Sequence, residues 1–199
     1  MVDISLPFGD DDGANFDAID AFVPEHLPEP DAFLDGHDVL TGDDHVAFHT
    51  LTRELFEERG VYDMTFDYNL ARLNLDPRHP NAGYRYADES GDSGVLRAEF
   101  TPTTPFCPQT HTLTIGSFRA WNGLADRHDY NLVRVRSHPM HHDSEAINEQ
   151  LAEIEAVYRE TGEMPDPAEP GDSGGGIDTP PTGSGTEIGE PTESPDAPF

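Results

Sequence analysis

Every basic residue of this 199-residue chain is an arginine, and all eleven lie between Arg53 and Arg159. More than half of the 40 carboxylates fall outside that window, where no cation answers them. Uncompensated like charge opposes compaction, so the flanks are poor material for a core and the folded part is expected between them. A formal net charge of -29 with 35% hydrophobic residues fits one modest core rather than two. The same acidity argues against nucleic acid, whose binders gain affinity by releasing counterions from phosphate, and against anionic membrane surfaces. Lysine-free, acidic composition looks like that of proteins from cells that keep molar salt inside. There the Debye length is about 3 Å and self-repulsion is screened.

Three regions follow. Residues 1–44 are acidic and broken by Pro7, Pro24, Pro28 and Pro30, and are expected to be largely disordered, with Phe16, Ile19, Phe22 and Val23 enough for one short docking helix. Residues 45–162 hold the arginines and the periodic apolar residues. Residues 163–199 are rich in Gly, Pro, Ser, Thr and acid, and are expected to form a disordered tail. Asp3, Asp10, Asp11 and Asp12 stand where a secretory signal needs cations, and a single cysteine gives no disulfide framework, so a cytoplasmic location is expected.

Within the middle region, Val46, Phe48, Leu51, Leu55 and Phe56 recur at helical spacing, and Gly60 is a natural stop. Residues 61–66 read as a strand, 71–75 as another, and 76–93 as an irregular loop rich in Pro, Gly, Asn and Asp. Residues 94–101 read as a strand, 108–122 as a helix, and 130–136 as a strand with Val133 and Val135 on one side and Leu132, Arg134 and Arg136 on the other. Asp143 or Ser144 can cap a last helix whose face is Ile147, Leu151, Ile154 and Tyr158. This order predicts a two-layer α+β domain, helices packed on a short mixed sheet.

Cys107 follows the strand ending near Thr101 and precedes the predicted helix, bracketed by Pro105 and Pro108. An unpaired cysteine is usually a small buried hydrophobe. If Pro108 takes the first helical position, however, the thiol sits at the N-cap, where free amides and the helix dipole favour thiolate. His138, His141 and His142 lie between the last strand and the last helix, and His111 stands one turn beyond Cys107; each is a candidate ligand, with solvent-exposed turn residues as the plainer reading. Thr101, Thr103 and Thr104 are candidates to hydrogen-bond the thiolate or the following amides, or to brace the turn. Trp121 reads as core, Arg134 and Arg136 as surface ion pairs, and the His45/His49 pair as a surface coincidence.

The segment Phe100-Thr101-Pro102-Thr103-x-Pro105-x-Cys107 resembles the motif of the MIP18 (DUF59-type) family of iron-sulfur assembly and targeting factors. His141-His142-Asp143-Ser144-Glu145-Ala146-Ile147-Asn148-Glu149-Gln150-Leu151 resembles the entry to that family's C-terminal helix, a histidine followed by Ala-Val-Asn-Lys-Gln-Leu. The likeness covers about residues 94–160. The eukaryotic branch has Ser-Met after the cysteine, where this chain has Pro108-Gln109, and reaches Thr-Leu one residue sooner than Thr112-Leu113. Upstream, both Asp76-Pro77-Arg78-His79-Pro80 and Gly60-Val61-Tyr62-Asp63 loosely echo family segments.

The resemblance implies a non-enzymatic accessory factor that meets an assembly scaffold and recipient apoproteins, with Cys107, His141, His142 and His111 as cluster or partner contacts supported by Thr101, Thr103, Pro105 and Pro108. One cysteine falls short of the four thiolates that usually hold a cluster. A cluster is therefore transient and bridged in a homodimer, or completed by histidines or a partner, or absent. The rival classes are a hydrolase with Cys107 as nucleophile and a histidine base, and a non-catalytic interaction module with a structural cysteine. Unbalanced carboxylates predict salt-dependent folding whichever class holds: the melting temperature rises between low and molar potassium chloride, and a flat response contradicts that reading.

Overall fold

The computed structural model describes residues 16–19 and 22–164. In chain order its elements are β1 (Asp38–Val39), α1 (Gly42–Arg59), β2 (Tyr62–Asp63), β3 (Tyr68–Asn69), β4 (Gly83–Asp88), β5 (Val95–Thr101), α2 (Thr110–Asn122), β6 (Leu132–Ser137) and α3 (Ser144–Thr161). The main sheet runs β1-β4-β5-β6; its first two pairings are antiparallel, while β5 and β6 run parallel across the α2 crossover. The α+β expectation therefore holds, with helices packed on a mixed sheet.

Helix α1 ends at Gly60, whose φ of 65° is the left-handed turn that a glycine adopts without strain. Its apolar side meets the sheet face carrying Tyr84, Tyr86, Ala98, Phe100, Val133 and Val135, with α2 beside it. Trp121 sits at the centre, 4.9 Å from Phe56 and 5.1 Å from Tyr84 between ring centroids. Each such pair contributes about 0.5–1.5 kcal/mol beyond its buried area. Trp121 donates its indole N–H to Thr52 at 3.2 Å, so the buried ring leaves no donor unmet.

Sheet edges are closed by side-chain amides. Asn122 of α2 both donates to and accepts from the backbone of Val133, and Asn148 of α3 does the same for Ser137, so the outer edge of β6 has surrogate partners. Asn74 clamps Tyr84 of β4 in the same way. Gly83 has a φ of 113°, and a Cβ there would stand 2.3 Å from the Asn74 side-chain oxygen, so this clamp requires glycine.

Several expectations need correction. Residues 76–93 contain β4, a full strand of the sheet; its flanks of Pro, Gly and Asn read as loop because the turn and the Asn74 clamp use those residues. Residues 70–75 form a 3-10 turn, capped by the Asn69 side chain accepting from the Ala71 amide, not a strand. Residues 61–66 break after Asp63 because its carboxylate accepts the Thr65 and Phe66 amides and turns the chain into β3. His45 and His49 are wholly buried rather than superficial. His49 bridges the Ala71 carbonyl and the Tyr86 hydroxyl, and burial lowers its pKa to about 4 and that of His45 to about 2.

Residues 22–44 are ordered rather than disordered: a 3-10 turn at Pro24–His26, a second turn over 31–37 closed by the Leu34 and Asp35 amides on the Asp31 carbonyl, β1 and the first residues of α1, with Leu27, Leu34 and Leu40 buried and the 31–33 stretch lying on the second sheet face. No helical period marks them because the sheet, not their own backbone, supplies the partners. The expectations for residues 1–15, 20–21 and 165–199 lie outside the described residues.

That second sheet face is charged. It carries Arg85, Arg97, Glu99, Arg134 and Arg136 in register across three strands. Arg134 and Arg136 converge on Glu155 of α3, at 2.9 Å each, and both are largely covered rather than surface pairs. Phe33 lies under Arg97 and Arg136, and its carbonyl accepts from Arg97. Glu99 accepts the Asp31 amide on one oxygen while the other has no partner; Arg136 turns away to Glu155 and Arg85 stays apart.

Burial pushes the Glu99 carboxyl up to about 7 from its ordinary 4.5. The folded protein then holds a proton that the unfolded chain has released, so stability falls as pH rises through that window and the loss is complete above it. His45 and His49 act in the opposite sense, gaining stability as pH rises. A comparison with Glu99→Gln isolates the carboxyl: the variant is expected to be more stable by about 1–3 kcal/mol near pH 8 and equal near pH 4, read by chemical denaturation in molar salt. An unchanged difference across that range contradicts the assignment.

Candidate functional site

Parallel pairing makes β5 and β6 end at the same side of the sheet, so the loops that follow them meet. The β5–α2 loop holds Cys107, and the β6–α3 loop holds His138, His141 and His142. His141 is buried, donates from Nε2 to the Cys107 carbonyl at 3.0 Å, and accepts the Asp143 amide on Nδ1 at 3.2 Å. His142 meets the Pro105 carbonyl twice, through its amide at 3.0 Å and Nδ1 at 2.9 Å, while Nε2 lies 2.9 Å from Asp143. Two segments 34 residues apart are thus latched through backbone carbonyls.

Cys107 is not the helix cap. Helix α2 starts at Thr110 with Gln109 as N-cap, and the Cys107 carbonyl accepts the Thr110 amide in a preceding turn. The two prolines hold this turn instead of opening the helix early. Gln109 spends its side chain on the β2–β3 hairpin, accepting the Met64 amide at 3.0 Å and donating to Thr65 at 2.6 Å. Cys107 is half-buried, and no described residue hydrogen-bonds its Sγ.

The histidines expected as ligands are engaged elsewhere. His111 bonds Gln150 of α3, His138 accepts the Met140 amide, and both ring nitrogens of His141 serve the backbone. Among the described residues no group of three or more His, Cys, Asp or Glu is arranged to hold a metal ion. None of these imidazoles is hydrogen-bonded to the thiol as a general base would be. Thr101 is buried with its hydroxyl unpartnered, Thr103 is half-buried, and the Thr104 carbonyl accepts the Cys107 amide, so the turn is closed by backbone and no described bond joins a threonine hydroxyl to the sulfur.

No Asp or Glu occurs between Glu99 and Asp126, nor between Asp129 and Asp143, in a chain where one residue in five is acidic. Those two acid-free runs are the ones the fold brings together. Phe106, 72% exposed, packs on the His142 ring beside Cys107, and Met64, 77% exposed, lies on the hairpin that Gln109 ties to the start of α2. A tally of spacing between carboxylates would have marked this face.

The fold and this site define a small α+β domain that presents a half-buried thiol on an acid-poor, partly apolar loop surface. Residues 14–165 match a domain family of unknown function, DUF7998, and the chain belongs to that family. No curated protein and no solved structure matches the chain. No helix among the described residues is long and apolar enough to cross a membrane.

Proposed function

We propose that this domain is an accessory factor of iron-sulfur cluster assembly or delivery, acting in the cytoplasm of a cell with molar internal salt and meeting scaffold and recipient apoproteins at the Cys107 surface. The observation that carries this reading is the latch: the two segments that resemble MIP18-type motifs, separate in sequence, touch through His141 and the Cys107 carbonyl. The residues of the second segment have matching structural work. Ile147 and Leu151 enter the core, Asn148 closes the β6 edge, and Gln150 holds His111.

A contact role suits the surface better than turnover does. An acidic protein meets few carboxylates on the acid-free loop, with Asp143 partnered by His142, and exposed Phe106 and Met64 supply apolar area for contact. One thiolate supplies one ligand, so a cluster here is cargo whose remaining ligands come from the partner. Cys107 then acts as the entering or leaving ligand during transfer, with its loop held in place by His141 and His142.

The test is anaerobic affinity purification in molar potassium chloride, with recipient enzyme activities measured in parallel. Wild type is expected to recover scaffold components or iron-sulfur enzymes. Cys107→Ser is expected to lose them, and a Cys107→Ala strain to show impaired maturation. Identical partners and unimpaired maturation in the variants overturn the reading.

A further inference from the structure

A half-buried arginine without a carboxylate is unexpected in a chain of 40 acids. Arg85 makes no hydrogen bond or ion pair with any described residue; its Nε is buried and unmet, and desolvation alone lowers its pKa. Its register neighbour Glu99 does not neutralise it, since that carboxyl bonds the Asp31 amide and burial holds its proton up to about 7.

The guanidinium lines a cavity of about 320 Å³ between the 22–30 segment and the start of α1. Phe22, Leu27 and three prolines form apolar walls, Thr41 and Gly42 form one end, and Glu29 stands among the lining residues. Thr41 makes no side-chain cap to α1, which leaves the amides of the first turn without an intrahelical acceptor. Beside this wall lies His45, wholly buried, with neither ring nitrogen partnered; its ring centroid is 4.6 Å from that of Phe22. A wholly buried histidine and a half-buried arginine, both without polar partners, a cavity of ligand size and open helix amides thus coincide.

We propose that this cavity binds a small organic monocarboxylate with an apolar body, its carboxylate taken by Arg85 and the first amides of α1. Arginine matches a carboxylate through two parallel hydrogen bonds. The apolar walls call for a hydrocarbon or aromatic body, and a ligand seated against Phe22 brings a polar group within reach of His45. Glu29 disfavours a doubly charged ligand such as phosphate. The site lies apart from the Cys107 surface, being built from the 22–30 segment, the α1 start and β4, so it stands independently of the function proposed for that surface.

The test is titration of the full chain in molar potassium chloride with benzoate, hexanoate and inorganic phosphate, read by calorimetry and saturation-transfer NMR. Benzoate or hexanoate is expected to bind saturably. Arg85→Gln, which removes an unpaired charge and so keeps the fold, is expected to weaken binding by roughly 30-fold or more. Arg85→Lys falls between because it keeps the charge and loses the fork, and Glu29→Gln tightens binding. No saturable binding of either carboxylate, equal affinity in Arg85→Gln, or preference for phosphate overturns the proposal.

Discussion

The parallel pairing of β5 with β6 is the constraint on which the rest of the structure depends. A parallel pair needs a crossover, here α2, and it sends both strand ends to one side of the sheet. The Cys107 loop and the His138–His142 loop meet for that reason alone. Their latch uses carbonyls of Pro105 and Cys107, so it fixes the backbone of the turn and leaves the sulfur uncommitted. With an antiparallel β6 the two loops would leave from opposite sides.

Charge is partitioned as strictly as topology. Arg97, Arg134 and Arg136 of the second sheet face are drawn inward onto Glu89 and Glu155 and onto the Phe33 ring, where ion pairs are shielded from salt, while Arg85 stays apart. Covered pairs lose less to screening than exposed ones, so this placement keeps the few cations effective at any ionic strength. The strands and loops that carry Cys107 and His138 to His142 contain no acid from Phe100 to Ala125 or from Tyr130 to His142, and Asp143 is the carboxylate that closes onto His142 there. The Asn74, Asn122 and Asn148 clamps satisfy edge backbone with neutral amides, which molar salt does not weaken as it weakens ion pairs.

Much of this was legible in the residues, and the failures share a cause. Helices α1, α2 and α3 and strands β5 and β6 announced themselves through their own periodicity. Strand β4 and the 22–40 segment did not, because their partners are remote: Gly83 serves the Asn74 clamp, while Leu27, Leu34 and Phe33 are placed by the arginine-bearing sheet. His45 and His49 looked superficial because the helical face they occupy is polar by residue type although it is interior by position. At the site, the residues that meet were the ones singled out, yet their roles differ. His138, His141 and His142 engage backbone and His111 the Gln150 side chain, and Gln109, never a candidate, ties the hairpin bearing Met64 to the Cys107 turn. The acid-free runs were visible all along; only the fold shows that they converge.

The central claim is that the Cys107 loop is where this protein meets its partners, and site-specific crosslinking tests it most directly. A photoreactive phenylalanine analogue placed at Phe106, with Val157 on α3 as the exposed apolar control, is irradiated in cells kept at molar salt. The account predicts a discrete adduct with a scaffold or recipient protein from position 106, absent from position 157 and lost in Cys107→Ser. The same adducts from both positions, or none from Phe106, would contradict it.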